Sequence, residues 1–128
     1  MNILYVCLGN RFRSLLAEAV TRKERTDKEV RSRGTEATGP IHDEVREILE
    51  ENDLEEHASM DPTQLSQDDI DWADKIVFMS RSNLNYVEEN LELDGTTFQV
   101  WDIPDADPED PLRVIFEDIE KKVNELED

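Results

Sequence analysis

The sequence predicts an α/β fold: one three-layer domain over residues 1–128, with a four-stranded parallel sheet and helices on both faces. Three observations predict it. Short apolar runs alternate with helix-period stretches along the whole chain. One run, Lys75-Ile76-Val77-Phe78-Met79, is almost continuously apolar, as a strand buried on both faces must be. Finally, 128 residues with 37% hydrophobic content suit one domain with one core.

The elements follow in order. Residues 2–6 form a short apolar strand. Residues 14–23 read as helix, with Leu15, Leu16, Ala19 and Val20 on one face. Glu29-Val30-Arg31-Ser32-Arg33 is a second strand, stopped by Gly34. Residues 43–52 are helical, with Val45, Ile48 and Leu49 as the core stripe. Ser66 followed by Asp69 marks a capping-box start for a short helix carrying Ile70 and Trp72. The third strand is residues 75–79, a helix follows over 83–90, and the fourth strand is residues 97–101. Asp110-Pro111 opens the last helix, with proline in its first turn. Its 3.6-period face is Leu112, Ile115, Phe116, Ile119, Val123 and Leu126. Parallel strands joined by helices cross over right-handedly, and ligands sit beyond their carboxyl ends. Cys7 and the segment after Trp101 both lie at such ends, so they can meet in space.

Composition narrows the function. The net charge is −19, from 33 acidic and 14 basic residues, the latter five Lys and nine Arg. Such a surface repels nucleic acid and anionic membranes, so neither is an expected partner. The acids are spread over the chain rather than gathered in a tail, which suggests a halophilic protein whose surface stays hydrated at high salt. No apolar run approaches a membrane span, and the first residues lack a basic leader. A single cysteine excludes an internal disulfide and points to a reducing, cytoplasmic setting. A monomer is expected.

The chemistry concentrates in "VCLGNRFRSLLAE", which begins at Val6. The only thiol, Cys7, stands where a strand ends, and Arg13 follows six positions later at the start of a helix. Backbone N–H groups of such a loop can converge on an oxyanion, and the helix dipole adds positive potential. Gly9 relieves steric limits on the turn, and Asn10 tolerates unusual backbone angles. Leu8, Gly9, Asn10, Arg11, Phe12, Arg13 and Ser14 are therefore the expected phosphate-binding residues. Arg13 can grip two oxygens bidentately, which a lysine cannot. The same field favours the thiolate of Cys7, and Ser14 is placed to donate a hydrogen bond to it. This is a nucleophile at the floor of an anion cup. The competing bland reading is a small buried hydrophobe at a strand end. No metal or cofactor is expected: His42 and His57 are not at ligand spacing and read as structural or surface residues.

The stretch resembles the phosphate loop of the low-molecular-weight protein tyrosine phosphatases, V-C-x-G-N-x-C-R-S-P-x-A-E. "RSRGTEATG" is similar to the second strand and following loop of that family, and "HASMDPTQLSQDDIDWADKIVFMSRSN" to its central segment. The resemblance implies the strand order 2-1-3-4 for the sheet, and a phosphomonoester hydrolase working through a cysteinyl-phosphate intermediate. Its substrate would be a phosphorylated protein or a small phosphomonoester. It also implies a general acid from a loop after the fourth strand, usually within Asp-Pro. Here that loop reads "WDIPDADPEDP". Counting from the strand nominates Asp105; counting back from the last helix, or demanding a following proline, nominates Asp107. The strand count is preferred.

Departures from the family pattern are specific. Phe12 replaces the second loop cysteine, so protection of the nucleophile by a reversible disulfide is lost. Leu15 replaces proline. The tyrosine after Asp-Pro is absent, and the short loop after Gly34 lacks an aromatic residue. Arg11 stands where an aliphatic residue or threonine is common, which implies a shallower and more basic mouth. Two alternatives accompany the phosphatase reading: an arsenate reductase that uses an external thiol, and a non-catalytic phosphate-binding regulatory module.

Overall fold

The structure, a computed structural model, describes residues 1–104 and 112–126. In chain order it contains β1 (Asn2–Cys7), α1 (Arg13–Glu24), β2 (Glu29–Gly34), α2 (Asp43–Glu51), α3 (Gln67–Trp72), β3 (Lys75–Phe78), α4 (Arg81–Asn90), β4 (Thr97–Val100) and α5 (Leu112–Asn124). A short 3₁₀ turn, Glu55–His57, is the one element that sequence periodicity does not announce. The sheet is wholly parallel in order β2-β1-β3-β4. β1 is central: Val6 faces Arg33 on one side and Phe78 on the other.

Alternation along the strands divides the core into two layers. Ile3, Tyr5, Cys7, Val77 and Met79 point to the face covered by α1, α2 and α5. Leu4, Val6, Ile76 and Phe78 point to the face covered by α3 and α4, where they meet Ile70, Leu84 and Val87. β1 and β3 are therefore buried on both faces, as the apolar run at 75–79 requires.

Element ends shift by a residue or two, as helix and strand termini do. α4 begins at Arg81 rather than Asn83, because Ser80 caps it reciprocally with Asn83. The capping box expected at Ser66 is present, with Asp69 as its partner. Pro111 and Asp110 lie outside the described residues, and α5 is described from Leu112. Ile115, Phe116, Ile119 and Val123 are buried along it, and Leu126 is buried just beyond its end.

α1 departs from the one-faced helix that the sequence suggests. Every residue from Arg13 to Thr21 is buried, including Glu18. The helix is wedged between the sheet and α5, with the 3₁₀ turn against it as well. Its polar positions must therefore find partners inside the protein. Thr21 donates to Ala17 O at 2.7 Å, so the Tyr5 hydroxyl, 2.7 Å away, donates to Thr21 Oγ1. Burial pushes the Tyr5 phenol well above its ordinary range.

Candidate active site

The site lies at the carboxyl end of β1, where the chain turns through residues 8–12 into α1. Two backbone features shape this turn, and they fall on residues other than Gly9. Asn10 carries the positive φ, 56°. Its side chain stabilises that conformation by local hydrogen bonds, as asparagine can. The close approach falls on Gly34, at the end of β2. A Cβ there would sit 2.7 Å from Leu8 O and 3.0 Å from Asn10 N, so only glycine lets the loop backbone pass. The expectation that Gly9 supplies the freedom is corrected accordingly: a Cβ at Gly9 would meet nothing nearer than 3.4 Å, and its φ is not positive.

The 35–38 segment clamps the loop from outside. Thr35 N–H donates to Cys7 O at 3.0 Å, Glu36 N–H to Leu8 O at 2.8 Å, and Thr38 N–H to Gly9 O at 3.2 Å. These three bonds pin the loop carbonyls to the neighbouring segment.

Cys7 is 2% exposed, at the floor of the resulting cleft. Its Sγ receives the Asn10 N–H at 3.3 Å and lies 2.9 Å from Ser14 Oγ. The direction of that second bond follows from its neighbours. Asn10 Nδ2 donates to Ser14 Oγ at 2.9 Å, which leaves the Ser14 proton for the sulfur. The same Nδ2 donates to Ser32 Oγ at 2.9 Å, and Ser32 donates onward to Glu18 Oε1 at 3.2 Å. Asn10 Oδ1 accepts from Thr63 N at 2.8 Å. Every polar atom in this buried chain is partnered, and it ends with donors aimed at the thiol.

Glu18 anchors the far end of the relay. Its Oε2 accepts from Ser59 N at 2.7 Å and lies 3.5 Å from Arg22 Nη1. Burial raises the Glu18 carboxyl above its ordinary range; the Ser59 amide, Arg22 and Ser32 pull the other way.

The N-terminus of α1 points into the cleft. No side chain caps it, and its first turn carries no acidic residue. Its orphan N–H groups and its dipole are thus left for an anion. Arg13 is buried at this position, and Nη1 donates to Ile103 O at 2.9 Å. That carbonyl belongs to the segment after β4, which continues alongside β3 through the Ile103 N–H to Met79 O bond. The two strand ends that topology allowed to meet do meet.

The cleft, about 160 Å³, is lined by Cys7, Leu8, Gly9, Arg11, Phe12 and Arg13 from the loop, and by Glu36, Thr38 and His42 from the opposite wall. The loop residues were expected there; the opposite wall was not. His42, read from sequence as a structural or surface residue, is exposed and lines the mouth. Only the alignment of the 35–38 segment against the loop brings it there. Glu18, Ser32 and Thr63 were likewise missed as supports of the loop; the one hint was polar residues at positions that must face inward. Asp105 and Asp107 lie outside the described residues, two and four positions beyond Ile103.

The family model for low molecular weight phosphotyrosine protein phosphatases matches residues 2–127. A Halobacterium salinarum protein named "Putative arsenate reductase" is 32% identical, over 97% of this chain and 89% of that protein. The low molecular weight protein-tyrosine-phosphatase PtpA of Staphylococcus saprophyticus is 31% identical, over 87% of this chain and 78% of its own. The YwlE arginine phosphatase structure from Geobacillus stearothermophilus superposes with a TM-score of 0.82 at 27% identity, covering 96% of this chain and 88% of that one.

Proposed function

This chain belongs to the low molecular weight phosphotyrosine protein phosphatase family, and from that premise we propose that Cys7 is the nucleophile of a two-step phosphoryl transfer. Members of this family are cysteine-dependent phosphatases, and this chain is one of them by sequence and fold. The observation that supports Cys7 in this role is its pair of donors, the Asn10 N–H and the Ser14 O–H, at the floor of the cleft. Two donors aimed at sulfur hold it in place at the floor of the cleft for attack on phosphorus.

In the first step the Cys7 thiolate forms an S–P bond while the P–O ester bond breaks. The departing oxygen takes a proton from Asp105, with Asp107 as the second candidate. The loop N–H groups of residues 8–14 and the Arg13 guanidinium hold the equatorial oxygens. In the second step the same carboxylate, now ionised, removes a proton from water. The resulting attack forms a new P–O bond, breaks S–P and releases inorganic phosphate with the thiolate restored. Neither step calls on a metal or a cofactor.

The substrate class that follows is a phosphorylated protein, phosphotyrosine foremost, or a small phosphomonoester. Arsenate reduction is less well supported. A disulfide relay needs further cysteines, and the sequence has one, so an external thiol would have to resolve the intermediate. The net charge of −19 supports a protein adapted to high salt. Among the described residues no helix is long and apolar enough to cross a membrane. A cytoplasmic, monomeric, single-domain protein over residues 1–128 completes the proposal.

Acid-quenched turnover followed by intact-mass measurement tests it. The chain should gain the mass of one phosphoryl group, located at Cys7. Cys7→Ser should lose turnover yet still be stabilised by inorganic phosphate, because the cup is backbone and Arg13. A Cys7→Ser variant that keeps the wild-type rate would remove Cys7 from the mechanism.

A further inference from the structure

Arg11 is the one charged residue of the phosphate loop whose side chain the reaction leaves unused. Its Cγ and Nε lie 3.4 and 3.6 Å from the position a Gly9 Cβ would take, and Thr38 Oγ1 lies 3.5 Å from the same point. The side chain therefore folds back over the loop toward the 35–38 wall, at the rim of the cleft. It is half-buried, yet among the described residues its guanidinium has no hydrogen-bond or ion-pair partner.

That is unusual for an arginine in this chain. Arg22, Arg31, Arg33 and Arg113 each hold a carboxylate. Arg46 and Arg81, which lack a partner among the described residues, are exposed. Among the described residues no carboxylate neutralises this partly desolvated Arg11 guanidinium at the mouth of the anion site. Glu36 lines the same cleft but forms no ion pair with it; its backbone is committed to Leu8 O, and its side chain faces solvent. A half-buried cation without a counterion is a binding group waiting for an anion.

We propose that Arg11 determines specificity by binding a second anionic group of the substrate, so that the preferred substrates are phosphotyrosyl peptides with an acidic residue beside the phosphorylated one. This rests on the phosphatase reading of the same cleft. The first anion, the phosphoryl group, is held by Arg13 and the loop; the second, a carboxylate, is met at the rim by a planar fork that accepts it bidentately. A positive group at the rim of a chain with net charge −19 also helps to orient an incoming acidic peptide.

The test compares kcat/KM for two phosphotyrosyl peptides that differ only in having Glu or Gln beside the phosphotyrosine. The wild-type chain should favour the Glu peptide by about fivefold, the scale of a partly exposed ion pair. Arg11→Gln should bring the ratio to about one, Arg11→Glu should invert it, and Arg11→Lys should keep part of it; all three retain the backbone amide. In the wild type the ratio should also shrink from about 0.1 M to about 1 M salt as the pair is screened, a readout that needs no variant to fold. Equal kcat/KM for the two peptides, or a preference that Arg11→Gln leaves untouched, overturns the proposal. Turnover of p-nitrophenyl phosphate with neither peptide accepted overturns its substrate class. Loss of all three substrates in the wild type overturns the phosphatase reading itself.

Discussion

Arg13 and Ile103, ninety residues apart, are joined by a hydrogen bond of 2.9 Å from Nη1 to the main-chain oxygen. The bond ties the phosphate loop to the start of the segment that carries Asp105 and Asp107. It means that the guanidinium has two tasks: to grip the phosphoryl oxygens, and to fix where the acid-bearing segment leaves the sheet.

Arg13→Lys should therefore fail at both. Lysine keeps the charge but loses the planar fork and the reach to Ile103 O. We expect kcat/KM on p-nitrophenyl phosphate to fall by about 10²-fold or more, the scale of losing a preorganised oxyanion donor. Inhibition by inorganic phosphate should weaken in parallel. Unchanged kinetics in this variant would exclude Arg13 from the machinery.

The two candidate acids are separated by leaving-group dependence. A phenol of high pKa needs a proton as it departs, whereas nitrophenolate needs little help. Asp105→Asn should slow phenyl phosphate hydrolysis by about 10²-fold or more while affecting p-nitrophenyl phosphate far less. Asp107→Asn should treat the two substrates nearly alike. The opposite pattern would assign the acid to Asp107.

Glu18 gives a pH signature at the far end of the thiol relay. Its carboxyl is raised in the folded protein, chiefly by burial. Between its unfolded value, near 4.5, and the raised folded value, the native state holds more proton than the unfolded one. Stability then falls as pH rises through that window, and the contribution is intact below it. Glu18→Gln should abolish this slope. It should also cost about 1–3 kcal/mol at neutral pH, because the amide cannot accept from both Ser32 and Ser59. Denaturant titrations of both proteins from acid to neutral pH check it; an unaltered slope would remove Glu18 as its source.

Salt should stabilise the chain. With a net charge of −19, self-repulsion among surface carboxylates opposes the compact state, and screening relieves it. The melting temperature should rise steadily from low to molar salt. A flat or falling series would contradict the proposed adaptation to high salt.

The order of elements, the two-faced burial of β3 and the loop from Cys7 to Arg13 are all written in local sequence. They depend on periodicity, on the apolar run at 75–79 and on residue types within a single turn, each decided by neighbours a few positions away. The acidic surface is equally plain, since charge needs no partner to be counted. What the tertiary structure alone decided is which distant groups share an interior. α1 is buried on all sides because the sheet, α5 and the 3₁₀ turn close around it, so Glu18 and Thr21 become interior residues despite their polarity. The chain of donors from Asn10 through Ser14 to Cys7 needs Ser32 from β2 and Thr63 from a later loop. Gly34 is required by Leu8 O and Asn10 N, which approach it only because β2 lies beside β1. Hydrogen bonds and close packing act over a few ångströms regardless of separation along the chain, so the residues that hold the nucleophile in place become legible only once the sheet has brought them together.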